Sequence, residues 1–283
     1  MKIFVWILLF LLVINVIAAL ITVFRKPRSI SSVLAWMMTL IFLPGIGFII
    51  YLFCGRGIDG QKQMVQRIKE KVDIDNKKAG RDKRYDLLYD AKVLNRYFRN
   101  MDASPLAKRN SLQLFTDGQE KFQALFEDIR AAKETVHVEY YAFFNDTIGN
   151  QFLDVLIEKL HEGVEVYLIY DPWGSPGANK KFFARYVDAG GKVAPFITSR
   201  DMIRKTRLNY HLHRKIVVID GKIGWTGGFN VGDQYLNVTE KFGYWRDTHI
   251  RLVGTAVFSL QEIFIMDWNA SVKYPEERMT YHE

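Results

Sequence analysis

Two uncharged apolar stretches open the chain. Residues 3–24, IFVWILLFLLVINVIAALITVF, hold only Asn15 and Thr22 as clearly polar positions. Residues 32–53, SVLAWMMTLIFLPGIGFIIYLF, are again without charge. At about 1.5 Å per residue, the first stretch makes a helix of about 33 Å, enough for a hydrocarbon core of roughly 30 Å. A secretory signal would share the basic start at Lys2 and the small residues near Ala18 and Ala19, but its apolar region is shorter, about 7–15 residues. Pro44, Gly45 and Gly47 interrupt the second stretch, which predicts a kinked or partly re-entrant helix. Neither stretch has a polar face to meet water. Together they predict a two-helix transmembrane hairpin over residues 1–54, with helices at about 3–24 and 32–53.

Residues 55–105 are charged and mixed, and ASPL at 103–106 marks a boundary. Beyond it the periodicity alternates between helix and strand. In QEKFQALFEDIRAAKE, Phe122, Leu125, Phe126 and Ile129 fall on one helical face. TVHVEYYAFFND (135–146) has the alternation and β-branched content of a strand, and a helix in NQFLDVLIEKLHEG leads to a strand and turn in VEVYLIYDPWG (164–174). A further helix near KKFFARYVDAG and a short strand, KVAPF, follow. HRKIVVID (213–220) is a strand, DGK a turn and IGWTGG the returning strand, with YWRDTHIRLVG a later strand and TAVFSLQEIFIMDWNA a covering helix. This order predicts an α/β domain at 106–270 with a mostly parallel or mixed sheet flanked by helices, and a tail at 271–283.

The formal net charge is +8, which suits an anionic partner without choosing between nucleic acid and acidic lipid. The basic segment at 55–105 fits a juxtamembrane linker touching anionic headgroups, each charge adding about 1 kcal/mol, or a solvated charged linker. Arg25, Lys26 and Arg28 lie in the hairpin loop, against Lys2, Arg56, Lys62, Arg67, Lys69 and Lys71 on the other side: three against six. That bias places both ends, and the α/β domain, in the cytoplasm. Cys54 is the single cysteine, which rules out an intrachain disulfide and a cysteine-based metal site and leaves it as a small apolar filler near the membrane boundary.

Residues 210–230, YHLHRKIVVIDGKIGWTGGFN, carry the candidate chemistry in the spacing H-x-K-x4-D-x6-G-G-x-N. Two-residue alternation puts His213 and Lys215 on one strand face. An imidazole beside an ammonium suits phosphoryl transfer: lysine pairs with phosphate oxygens, and histidine attacks phosphorus or passes a proton. Gly227 and Gly228 allow close backbone approach, and the Asn230 amide offers donors and an acceptor. His211 lies on the same face and reads as a flanking residue without a catalytic role, since no third metal ligand is fixed by spacing. Trp173 and Trp225 read mainly as packing residues under the sheet, with the lining of an acyl or headgroup path as the alternative, and Glu139 as a weaker polar neighbour of the site.

HRKIVVIDGKIGWTGGFN resembles the HKD signature of the phospholipase D superfamily. The wider resemblance is to bacterial cardiolipin synthases, through the paired N-terminal segments, HVEYYAFF, GVEVYLIYDPWGS, WRDTHIRLVG and LQEIFIMDW. The resemblance implies a phospholipase D-like fold and a phosphatidyl transferase in the bacterial cell membrane, multi-pass, needing no metal or cofactor. Its reaction condenses two phosphatidylglycerols to cardiolipin and glycerol. One motif histidine forms a phosphohistidine, while a second acts as general acid and then base. Carried over, His213 is the motif histidine, Lys215 the phosphate clamp and Asn230 a further phosphate contact. Asp220 holds the turn, and Asp247 of WRDTH orients the histidine ring.

The family places two such motifs in one chain, and the present sequence holds one. Three arrangements stay open: a homodimer sharing one site, a separate chain supplying the second motif, or a truncated product with little activity. Two other functions also stay open. One is a membrane-tethered phosphodiesterase, nuclease or phospholipase D; the other is an inactive half that binds anionic lipid. The apolar anchor favours lipid over nucleic acid as the substrate.

Overall fold

A computed structural model describes residues 2–24, 29–55, 107, 109–196, 211–237, 240–272 and 274–279. The expected linker at 55–105 lies outside the described residues apart from Gly55. The chain divides into two compact units, an N-terminal helical one and an α/β one.

In the helical unit, α1 spans Lys2–Phe24, α2 Ile30–Phe42 and α3 Ile46–Ile50, followed by a π-helical turn at Tyr51–Gly55. Among the described residues, one helix, Ile3–Phe24, is long and apolar enough to cross a membrane. The kinked or partly re-entrant helix expected at 32–53 is two short helices with the break at the predicted Pro44–Gly45. Pro44 supplies no N–H to the Leu40 carbonyl, and Gly45 turns to φ 78°. The Asn15 amide replaces the missing donor, reaching Leu40 O at 3.0 Å. Tyr51 Oη donates to Thr22 O at 3.1 Å, satisfying a carbonyl at the end of α1. Ala19, Val23 and Leu40 are buried between these helices, against Trp36 and Tyr51. Cys54 is exposed rather than a buried filler.

The α/β unit carries a seven-stranded mixed sheet. Its strands are β1 (Ser111–Phe115), β2 (Thr135–Tyr140), β3 (Glu165–Tyr170), β4 (Lys192–Pro195), β5 (Lys215–Ile219), β6 (Ile223–Gly227) and β7 (His249–Val253). They stand in the order β1-β7-β6-β5-β2-β3-β4. β2, β3 and β4 run parallel, and the remaining neighbours pair antiparallel. Every residue of β5 is buried, as its unbroken apolar run requires of a central strand.

Helices cover both faces. α4 (Gly118–Arg130) and α5 (Thr147–His161) bring Phe122, Leu125, Phe152 and Leu156 onto Val136, Val138, Val217 and Trp225. Both start where a carboxylate caps the first turn: Asp117 accepts from Gln119 N at 2.8 Å, and Asp146 from Gly149 N at 3.0 Å. α7 (Val257–Ser271) closes the opposite face, where Val257 packs on Ile216 and Val218 and Phe264 stacks on His137 at 4.6 Å. The helix expected around residues 180–190 is only the short α6, Ala184–Asp188. Part of the tail is tied back, with Trp268 Nε1 donating to Glu277 O at 2.8 Å.

Candidate active site

His213, Lys215 and Asn230 gather at the sheet end where the parallel strands β2 and β3 finish, whereas Asp220 lies at the opposite end of β5, against the start of β2. Tyr140, the last residue of β2, is the cross-strand partner of Lys215, the first of β5. Gly227, the last of β6, partners His249, the first of β7. In open α/β sheets the carboxyl ends of parallel strands are where ligands dock, because strand ends expose backbone groups and loops.

β5 begins at Lys215, two residues later than the pattern predicts, and His213 lies just ahead of it. The extended backbone still brings the two side chains together: Lys215 Nζ stands 3.4 Å from His213 Nε2. His213 is exposed and packs on the Tyr141 ring at 4.7 Å between centroids. Lys215 is buried, with 4% of its surface exposed. Burial lowers the Lys215 ammonium to about 8, with the Asp247 carboxylate opposing the shift. Partial burial and the Lys215 charge lower His213 below its usual value, and Asp171 opposes them. A neutral imidazole beside a largely protonated ammonium at neutral pH is suited to attack on a phosphate ester.

Asp171 was not singled out from the sequence. It is buried at the end of β3, where Oδ1 accepts from Trp173 N at 2.9 Å and Oδ2 from Leu212 N at 2.8 Å. It therefore pins the backbone between His211 and His213, and His211 Nδ1 lies 3.5 Å from the same Oδ2. Trp173 stands 61% exposed beside His211, contrary to a packing role, because the turn after β3 carries its side chain outward. Trp225 is packed as expected, fully buried with Nε1 on Asp128 Oδ2 at 2.8 Å.

Asp220 has positive φ (50°) in the β5–β6 turn. Its carboxylate accepts from the backbone N–H groups of Lys133, Glu134 and Thr135, each at 2.9 Å. Partial burial pushes this carboxyl up, but those three donors and Lys222 outweigh it and hold it below the usual carboxylate range. Asn230 is engaged at both ends: Oδ1 accepts from Ala142 N at 3.2 Å, and Nδ2 donates to Tyr235 Oη at 2.7 Å. Only the second amide hydrogen is left for a ligand.

Asp247 packs directly over Gly228, where a Cβ would overlap its carboxyl group. Gly228 N donates to Thr248 O at 2.8 Å, which fixes that approach. Asp247 acts electrostatically on Lys215, and among the described residues no hydrogen bond joins it to the His213 ring. Glu139 is buried and alternates to the α7 face, away from Lys215, since its cross-strand partner is Ile216.

The chain carries one phospholipase D-like domain. Residues 125–255 match the family model described as "Cardiolipin synthase, PLD-like domain", and residues 13–56 match "Phospholipase D-nuclease N-terminal". The chain is homologous to the cardiolipin synthases of the phospholipase D superfamily. The cardiolipin synthase of Listeria monocytogenes serotype 4b (strain CLIP80459) is 42% identical over 282 residues, covering 94% of this chain and 57% of that protein. The major cardiolipin synthase ClsA of Bacillus subtilis (strain 168) is 40% identical over 274 residues, covering 91% and 55%. The chain thus spans little more than half the length of these relatives. Among solved structures, NucT from Helicobacter pylori aligns with a TM-score of 0.45 at 18% identity, covering 59% of this chain and all of NucT.

Proposed function

We propose that the protein is a phosphatidyl transferase of the cardiolipin-synthase type, with His213 as the nucleophile. The observation that carries this reading is the 3.4 Å contact between Lys215 Nζ and His213 Nε2 at the end of the sheet. Lys215 holds the non-bridging oxygens of a phosphatidylglycerol phosphodiester. The His213 nitrogen attacks phosphorus, the bond to the glycerol headgroup oxygen breaks, and glycerol leaves with a proton from a second histidine. The hydroxyl of another phosphatidylglycerol gives that proton acceptor its hydrogen and attacks phosphorus, which releases cardiolipin and restores His213. The second histidine comes from another motif, in a second copy of this chain or in a partner chain. Asn230 holds the backbone beside the site, Asp220 fixes the far end of β5 against the start of β2, and Asp247 tunes Lys215.

The apolar N-terminal segments form the membrane anchor in this reading. α1 spans the bilayer, α2 and α3 return as a broken second pass, and residues 55–105 connect to a cytoplasmic catalytic domain at 106–270. Support comes from the Asn15 and Tyr51 hydrogen bonds, which satisfy carbonyls that a hydrocarbon environment would leave costly.

The test uses the full chain in nanodiscs containing phosphatidylglycerol with a labelled headgroup. Cardiolipin formation with matched glycerol release, abolished in His213→Ala, is the expected result. Unchanged turnover in His213→Ala would remove the assignment.

A further inference from the structure

Lys121 is a buried amine that the chemistry above does not use. It sits on the first turn of α4 with none of its surface exposed. Its ammonium donates to Tyr140 Oη at 3.0 Å and lies 3.6 Å from the Phe122 ring centroid. Among the described residues no carboxylate pairs with it. Burial holds this amine well below its usual value. An ammonium without a counter-charge is expensive inside a protein, and a methionine or leucine would pack here at no such cost.

The sheet register explains where that charge is directed. Tyr140 and Lys215 are cross-strand partners, and their side chains share the face that α4 covers. On the same row, His249 is fully buried, and neither ring nitrogen has a hydrogen-bond partner. Burial first, and then the charges of Lys121 and Lys215, keep that imidazole neutral, so both ammonium groups act on it. Gly227 separates Lys215 from His249 with no side chain, and a Cβ there would stand 2.7 Å from His249 Nδ1. Two amines and an unprotonated imidazole therefore gather beside the motif against one carboxylate, Asp247, which acts on Lys215. A docked anion supplies a second negative charge for the second amine.

We propose that Lys121 is a positioning residue for the phosphate site, a second ammonium beneath Lys215 that becomes fully charged when an anion binds beside His213. The inference rests on the phosphate reading of His213 and Lys215. It adds that binding takes up a proton and that the buried charge sacrifices stability for anion affinity. At an effective dielectric of about 20 and a separation of about 10 Å, one added charge strengthens monoanion binding by about tenfold.

The experiment compares wild type with Lys121→Met in detergent. Tungstate affinity is measured calorimetrically in two buffers of different ionisation heat, and thermal unfolding is recorded beside it. The expected result is about a hundredfold weaker binding of the tungstate dianion, loss of the buffer-dependent proton uptake, and a melting temperature equal to or above wild type. Lys121→Gln, which keeps the hydrogen bond to Tyr140 without the charge, gives the same loss of affinity and serves if the methionine variant does not fold. Equal affinity in wild type and both variants overturns the inference while leaving the phosphate reading intact. Absence of tungstate binding in wild type overturns the phosphate reading, and the role of Lys121 with it.

Discussion

The carboxylate of Asp247 occupies the space that a side chain at Gly228 would need. The Gly-Gly pair thus does more than end β6: it lets the loop before β7 close onto the motif, with Thr248 O accepting from Gly228 N at 2.8 Å. Gly228→Ala must push Asp247 outward and weaken its hold on Lys215. We expect turnover to fall by about 100-fold, since small displacements of site groups cost that much, while the melting temperature falls modestly. Near-normal turnover with normal unfolding would contradict the role of this contact.

The pH dependence separates two roles for Asp247. Lys215 is lowered to about 8, so phosphate binding through its ammonium weakens as pH rises through that value. His213 is lowered below its usual value, so its neutral, attacking form is gained as pH rises through a point on the acid side of that value. The kcat/KM profile should be a bell with its basic limb near 8. Asp247 raises Lys215, so Asp247→Asn should move the basic limb to lower pH. A carboxylate that instead orients the His213 ring would leave the basic limb in place and shift the acid limb.

Asp220 closes the β5–β6 turn against the start of β2. Its side chain accepts three backbone N–H groups at 2.9 Å. Asp220→Ala leaves those donors to solvent or unpaired and should cost about 2 kcal/mol of stability, with KM little changed. Because the carboxyl is held below its unfolded value, its stabilisation is fully present above the unfolded pKa and is lost as pH falls through the folded one. Chemical denaturation at pH 7 and at pH 3 should therefore show a difference between wild type and Asp220→Ala that shrinks at the lower pH.

Much of the α/β unit is readable from periodicity, because its core strands and helices bury one well-defined face. The four apolar positions of α4 chosen from sequence are all buried. β1 escaped notice because four of its five residues are exposed, including Leu112 and Leu114, so it lacks the alternation that marks a half-buried strand. The H-x-K-x4-D spacing makes His213, Lys215 and Asp220 legible because the pattern itself is local, even though the partners of Asp220 are Lys133, Glu134 and Thr135. Asp171 and Lys121 belong to no such pattern, and only their burial against Leu212 and Tyr140 reveals them. A buried lysine at a helical core position reads in sequence as a solvated one. Only its lack of exposure distinguishes it.

The pairing of Asn15 with Leu40 yields a prediction about the proposed membrane anchor. Pro44 cannot donate to the Leu40 carbonyl, and Asn15 Nδ2 does so at 3.0 Å from the other helix. In a bilayer such an interhelical bond contributes about 0.6–2 kcal/mol. Asn15→Leu should therefore loosen α1 from α2 by about that amount, measured by the detergent-dependent unfolding of the full chain. Pro44→Ala supplies an intrahelical N–H and makes the Asn15 amide redundant. In the Pro44→Ala background, Asn15→Leu should cost much less than in wild type, and a double-mutant cycle reads the difference directly. Equal costs in the two backgrounds would mean that Asn15 holds the helices together by packing, and that the carbonyl freed by Pro44 is satisfied some other way.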